Sequence, residues 1–154
     1  MAKHVFLCLV AMVIATGMRA QDTFSIVAVD SITGEVGSAG ASCLDDNDIA
    51  GGVFIISDVL PGKGAIHTQS FWNATNQSNA RQRMVEDNSP ADIIVWLEAF
   101  DAQNDPQSRQ YGIVDFDDQG APRSAAFTGT ACFDYKNHIV GPNYAIQGNI
   151  LLGQ

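Results

Sequence analysis

Phe24-Ser-Ile-Val-Ala-Val29, Asp30-Ser-Ile-Thr-Gly34 and Glu35-Val-Gly-Ser-Ala-Gly-Ala-Ser-Cys43 follow one another without a break, and their reading decides the fold. The first segment alternates large apolar residues with small ones, the second has turn chemistry, and the third returns to extended character. Together they predict a hairpin of two strands. The second strand is built almost wholly of Gly, Ala and Ser, a composition that lets another backbone or a ligand approach closely.

Working outward, Asp45-Asp-Asn-Asp48 reads as a polar loop, and residues 51–57 and 64–70 read as two more strands on either side of Leu60-Pro-Gly-Lys-Gly64. From Asn76 the period changes, with Ala80, Met84 and Val85 at helical spacing among Arg81, Arg83 and Glu86. Ser89-Pro-Ala-Asp92 then supplies a helix start: Ser as N-cap, Pro at the first position, and Asp in the positive end of the helix dipole. Ile93, Ile94, Trp96, Leu97 and Phe100 form the apolar face behind it. Residues 111–116 and 124–128, joined through Asp117-Asp-Gln-Gly120, predict a second hairpin, and residues 144–152 a last apolar strand. Strands, two helices and strands again favour a layered α+β fold over strict βαβ alternation.

Lys3 and His4 precede an apolar run over residues 5–15, and the small Ala20 closes the segment, so residues 1–20 read as a secretory signal peptide. The run is too short to cross a bilayer as a helix, and no later segment is long and apolar enough, so no membrane contact is expected once the leader is cut. Cleavage after Ala20 leaves Gln21 first and removes Lys3 and Arg19. Six basic residues then face seventeen acidic ones, and the formal charge moves from −9 to −11. That surface repels phosphate backbones and anionic lipid, which excludes a nucleic-acid binder. Residues 21–154 make one ordinary domain. Their apolar end, Asn149-Ile-Leu-Leu-Gly-Gln154, reads as a chain cut short. The oligomeric state is left open, a homo-oligomer included.

Cys8 leaves with the leader, so Cys43 and Cys132 remain in an oxidising compartment and a disulfide between them is expected. It would close a loop of about ninety residues, worth on the order of 4 kcal/mol by the chain-entropy model. Neither cysteine has a CxxC or His/Cys cluster around it, so no zinc site is expected. Asp45-Asp-Asn-Asp48 lacks the spaced ligands, Gly and closing Glu of a calcium loop and reads as a solvated turn. His67 and His138 have no carboxylate at a diagnostic spacing and there is no G-x-S-x-G, which leaves a Ser-His-Asp triad unsupported. No cofactor is called for. Asn73-Ala-Thr75 and Asn76-Gln-Ser78 match the glycosylation pattern.

A set of segments, taken together, resembles a bacterial family called domain of unknown function 1028, assigned to the N-terminal-nucleophile (Ntn) hydrolase superfamily. They are Thr23-Phe-Ser-Ile-Val-Ala-Val-Asp30, Thr33-Gly-Glu-Val-Gly37, Ala41-Ser42, Thr68-Gln-Ser70, Gln110-Tyr-Gly-Ile-Val-Asp115, Ala125-Ala-Phe-Thr-Gly129 and Tyr144-Ala-Ile-Gln-Gly-Asn149. The resemblance implies a four-layer αββα sandwich, two sheets face to face with helices on both outsides. It also implies a mechanism: a Thr, Ser or Cys at the start of the mature chain attacks an amide or ester carbonyl while its own α-amine accepts the side-chain proton. That amine has an ordinary pKa of about 7.7–8.0 and is well placed for the task. Thr23 is the matching nucleophile. Ser42, Gln69 and Asn149 are the candidate orienting groups or oxyanion donors, and Asp30 and Lys63 the candidates for tuning the amine.

The sequence departs from this pattern at one place. Gln21 and Asp22 stand ahead of Thr23, and while they remain Thr23 has an amide where the mechanism needs an amine. Two functions follow: an exported Ntn-type amidohydrolase acting on a small amide or peptide of unknown identity, or a non-catalytic secreted binding or scaffold module that keeps the sandwich. For each candidate side chain the structural alternative is plain. In it Thr23 opens a strand, Asp30 heads a turn, Lys63 sits in a Pro-Gly loop, and Gln69 satisfies backbone groups.

Overall fold

The computed structural model describes residues 22–153; the proposed leader, Gln21 and Gln154 lie outside the described residues. Eight strands form two antiparallel sheets of four. β1 (Thr23–Val29), β2 (Val36–Ser42), β7 (Asn137–Gly141) and β8 (Tyr144–Asn149) make one, in the order β2-β1-β8-β7. β3 (Ser57–Leu60), β4 (Gly64–Ser70), β5 (Arg109–Phe116) and β6 (Pro122–Thr128) make the other, in the order β3-β4-β5-β6. The first hairpin forms as its sequence predicts, with Thr23 opposite Ser42 and Val29 opposite Val36. Asp30 shapes its turn: Oδ1 accepts from the backbone N–H of Ile32 at 2.7 Å.

Two helices, α1 (Ala74–Val85) and α2 (Pro90–Ala99), pack on the outside of the second sheet. Asn73 caps α1 by accepting from the N–H groups of Thr75 and Asn76, and Ser89 caps α2 by accepting from Asp92. The interface fills with Ile66 and Ile113 from the sheet and Met84, Ile93 and Leu97 from the helices, all fully buried. Asn76 is buried here too, its amide spent on Asp101 and Tyr111, so folding closes the second glycosylation pattern.

The described residues show three layers of a sandwich, two sheets and the helices on one outside; among them the outer face of the first sheet carries no helix. That face is apolar: Phe24 and Ile139 are 48% and 55% exposed, with Ile26 and Ile146 in register between them. Residues 51–57, expected as strand, instead form a short 3-10 helix, Gly52–Ile56, before β3 begins at Ser57. Gly51 and Gly52 take φ of +94° and +51°, a left-handed pair that turns the chain where the apolar run by itself reads as extended. Ile56 is thereby delivered to the glycine-rich strand, where a Cβ on Gly40 would stand 3.3 Å from its Cδ1. The approach foreseen for β2 is thus made by an isoleucine.

Close contact is absolute at Gly129, where a Cβ would lie 2.1 Å from the carbonyl oxygen of Gln107. Because the obstacle is backbone, Gly129→Ala is expected to cost about 1–3 kcal/mol, read as a lower urea midpoint at unchanged slope.

The space between the sheets changes character along its length, and this positions the site. Val27, Ala65, Val114 and Ala145 form an apolar tier. One step toward the start of β1, the inward positions are Ser25, His67, Gly112 and Gln147; one step further they are Thr23, Gln69, Gln110 and Asn149. Period-two alternation keeps these residues on the same face as the valines, so polar groups are buried where β1 begins.

Candidate functional site

A cleft of about 360 Å³ opens at that polar end, lined by Thr23, Gln69 and Ser70 from the strands, Phe71 and Trp72 after β4, Leu44, Asp48, Ile49, Ile55 and Ile56 from the segment after β2, and Gln103, Asp105, Ser108 and Arg109. Ser70, with φ of +68°, ends β4 in the left-handed region and turns Phe71 and Trp72 out of the sheet.

Four of the six candidate side chains meet here. Thr23 Oγ1 lies 3.0 Å from Ser42 Oγ across the β1–β2 ladder, and Ser42 Oγ also accepts from the N–H of Leu44 at 3.2 Å. Asn149 is the register partner of Thr23 on its other side. Gln69 faces the same space from the opposite sheet. Asp30 and Lys63 do not join them. Asp30 follows the far end of β1, on the order of 20 Å along the strand from Thr23. Lys63 precedes β4 at the end away from Gln69, where it forms an ion pair with Asp87 at 2.6 Å and donates to the carbonyl of Val85. Both are turn and loop residues, so neither electrostatically tunes an amine at Thr23 from a neighbouring position.

The polar tiers form one network whose amide orientations follow from chemistry. Gln110 Nε2 lies 2.9 Å from the carbonyl of Gly148 and 3.1 Å from that of Asn137, which can only accept, so this end must be the donor. Its Oε1 therefore faces Gln69 and Asn149 and accepts from Gln69 Nε2 at 2.7 Å and from Asn149 Nδ2 at 3.1 Å. Gln69 Oε1 in turn accepts from Ser25 Oγ at 2.5 Å, and Ser25 accepts from Gln147 Nε2 at 2.6 Å. Gln110 thus sets the polarity of both candidates beside Thr23. Sequence reasoning missed Ser25, Gln110 and Gln147, although strand parity carries the signal: Ser25 shares a face with Val27 and Val29.

Behind the cleft, Arg109 forms a buried ion pair with Asp101, Nε to Oδ2 at 2.8 Å and Nη2 to Oδ1 at 3.2 Å, their side chains 4% and 1% exposed. Its Nη1 donates to the carbonyl of Phe71 at 2.5 Å and its Nη2 to Gln103 Oε1 at 2.8 Å, which ties the cleft wall to the pair. Burial by itself works to raise the Asp101 carboxyl, but the Arg109 guanidinium and the N–H groups of Asp105 and Gln103 hold it below the ordinary carboxylate range.

The expected disulfide is not formed. Cys132 is buried on the second sheet's side, its thiol donating to the carbonyl of Arg109 at 3.2 Å. Cys43 is exposed at the outer edge of the first sheet, its N–H bonded to the carbonyl of Asp22. Cys43 follows β2 of the first sheet while Cys132 sits against Arg109 of β5 in the second, and the length of sequence between them carries no information about that.

His67 is 1% exposed, and burial lowers its pKa from 6.5 to about 4. Nδ1 accepts from Gln147 Nε2 at 3.4 Å, while His67 Nε2 and Gln147 Oε1 have no hydrogen-bond partner among the described residues. The folded state binds this proton less readily than the unfolded chain, so stability falls as pH drops from about 6.5 to about 4 and the contribution is absent below that. The span corresponds to on the order of 3 kcal/mol. Urea titrations across this window should show His67→Phe with a distinctly flatter acid limb than the parent.

Comparison with known families places these residues in context. The profile described as "Family of unknown function (DUF1028)" matches residues 23–154. Among solved structures the chain is similar to protein SPO2555 from Silicibacter pomeroyi, itself described under DUF1028, with a TM-score of 0.72 at 23% identity, a likeness of fold. The match covers 86% of this chain and 57% of that one, so the chain spans little more than half the length of its solved relative. No curated protein matches it. With its profile match running unbroken from Thr23 onward, the chain belongs to the DUF1028 family.

Proposed function

We propose that this chain is an exported amidohydrolase of the N-terminal-nucleophile type, with Thr23 as the nucleophile once Gln21 and Asp22 have been removed. The observation that carries the reading is the place of Thr23: it opens the first strand in the cleft, with Oγ1 3.0 Å from Ser42 Oγ and Asn149 beside it in register. In the reaction Thr23 Oγ1 attacks the amide carbonyl and its proton passes to the freed α-amine. The C–N bond breaks, the amine leaves with that proton, and water hydrolyses the resulting ester. Ser42 holds the attacking hydroxyl. Asn149 gives one N–H to Gln110 and has a second for the developing oxyanion. Asp22 is tied to the sheet by a 3.3 Å bond from the Cys43 N–H to its carbonyl, and removal of the dipeptide gives that bond up.

The same bond favours the second reading, a secreted binding module. With Asp22 in place the ladder runs on past Thr23, whose nitrogen is then an amide and no base. A β-lactone acylating reagent separates the two. Protein beginning at Thr23 should gain the mass of one adduct on that residue, and protein beginning at Gln21 or carrying Thr23→Ala should gain none. Absence of the adduct from all three would leave the binding module.

A further inference from the structure

Three charged side chains line the cleft beside Thr23: Asp48, Asp105 and Arg109. Arg109 is not available to a ligand. It is 3% exposed, and its guanidinium is engaged with Asp101, Gln103 and the carbonyl of Phe71. A bidentate grip on a carboxylate or phosphate would need the fork it has already given away. The exposed charge of the cleft is therefore anionic. Asp105 donates its N–H to Asp101 and accepts from the Ser108 hydroxyl at its carbonyl; among the described residues its exposed carboxylate accepts no hydrogen bond, though its charge acts on nearby Arg109, and the Asp48 carboxylate accepts from the N–H of Asp45 at 3.3 Å.

The same cleft is also lined by apolar and aromatic groups. Phe71 is 47% exposed, and Trp72 is half-buried with its Nε1 donating to Gln77 Oε1 at 2.9 Å, which fixes the indole. Ile49 and Ile55 add aliphatic surface. Exposed aromatic and aliphatic groups beside carboxylates favour a ligand that is apolar along its body and positive at one end, because such a cation gains from both the ring faces and the acids. An anionic ligand meets two carboxylates on a protein already strongly acidic. A volume of about 360 Å³ holds a small molecule or a residue or two of peptide.

We propose that the cleft selects small amides with an apolar or aromatic body and a cationic group, an amine or a guanidinium, held against Asp48 and Asp105. As a substrate class this rests on the hydrolase reading of Thr23; as a binding preference it does not. The test uses two probes with the same aromatic body and opposite charge, N-benzoyl-arginine amide and N-benzoyl-glutamic acid α-amide. They are titrated calorimetrically into protein that begins at Gln21, where Thr23 has no free amine. The arginine probe is expected to bind at least about ten-fold more tightly, the preference shrinking as salt is raised toward about 1 M. Asp48→Asn with Asp105→Asn should remove most of that preference at an unchanged melting temperature. Equal affinity, preference for the glutamate probe, or no binding of either overturns the proposal. If the arginine probe binds while protein starting at Thr23 still takes no lactone adduct, the cleft's selectivity stands and the hydrolase reading falls.

Discussion

Asp101→Asn is expected to destabilise the fold by about 3–5 kcal/mol, because it leaves Arg109 charged and buried without its counter-ion. For a domain of this size that is on the order of 10–20 °C in melting temperature. The loss should extend to the cleft, since Arg109 reaches the carbonyl of Phe71, and Asp101 accepts from the N–H groups of Gln103 and Asp105. Replacing both partners together, Asp101→Leu with Arg109→Met, should recover much of the stability. The cost arises chiefly from an orphaned charge, and the apolar pair removes it. A double variant as unstable as Asp101→Asn would show that the hydrogen bonds to the cleft wall, and not the charge, carry the effect.

The second large effect concerns chemistry. For whichever amide the Thr23-initiated protein turns over, Thr23→Ala should lower turnover by about 10⁴-fold or more, the scale on which covalent hydrolases lose activity with their nucleophile. Thr23→Ser should retain a measurable fraction. Melting temperatures of the three proteins, read alongside the rates, separate this from a structural loss. Thr23 Oγ1 meets Ser42 Oγ at a strand end, and losing that neutral hydrogen bond should cost only about 1 kcal/mol. Unchanged turnover in Thr23→Ala would place the chemistry at another residue.

Much of this architecture is legible in the sequence because local chemistry and tertiary structure agree. The first hairpin has its turn residues where the register needs them, and Ser89, Pro90 and Asp92 specify the start of α2 with no help from packing. β7 was not anticipated. It is a short edge strand, mostly exposed, and its Asn-His-Ile-Val-Gly sequence has no alternation to read. Residues 51–57 misled because an apolar run of that length fits a strand or a buried turn equally well, and the two left-handed glycines decide between them.

At the site, the family resemblance brought Thr23, Ser42, Gln69 and Asn149 onto the page, and strand pairing explains why they converge. It suggested Asp30 and Lys63 as well, but those lie at opposite strand ends from the cleft, where the length of a seven-residue strand separates them from it. The Asp101–Arg109 pair spans an irregular segment that no periodicity describes. The polar tier of Ser25, Gln110 and Gln147 was hidden in another way: Ser25 and Gln147 stand beside apolar neighbours in their strands, Gln110 lies just ahead of the strand read as 111–116, and only the stacking of two sheets shows that the positions share one interior.

The proposed chemistry needs a nitrogen that exists as an amine only after Gln21 and Asp22 have gone. Sequential N-terminal degradation of the protein recovered from the medium or envelope of its own host tests this most directly. Threonine is expected in the first cycle, followed by phenylalanine and serine. Glutamine and aspartate in the first two cycles, from material that is otherwise folded and exported, would contradict it.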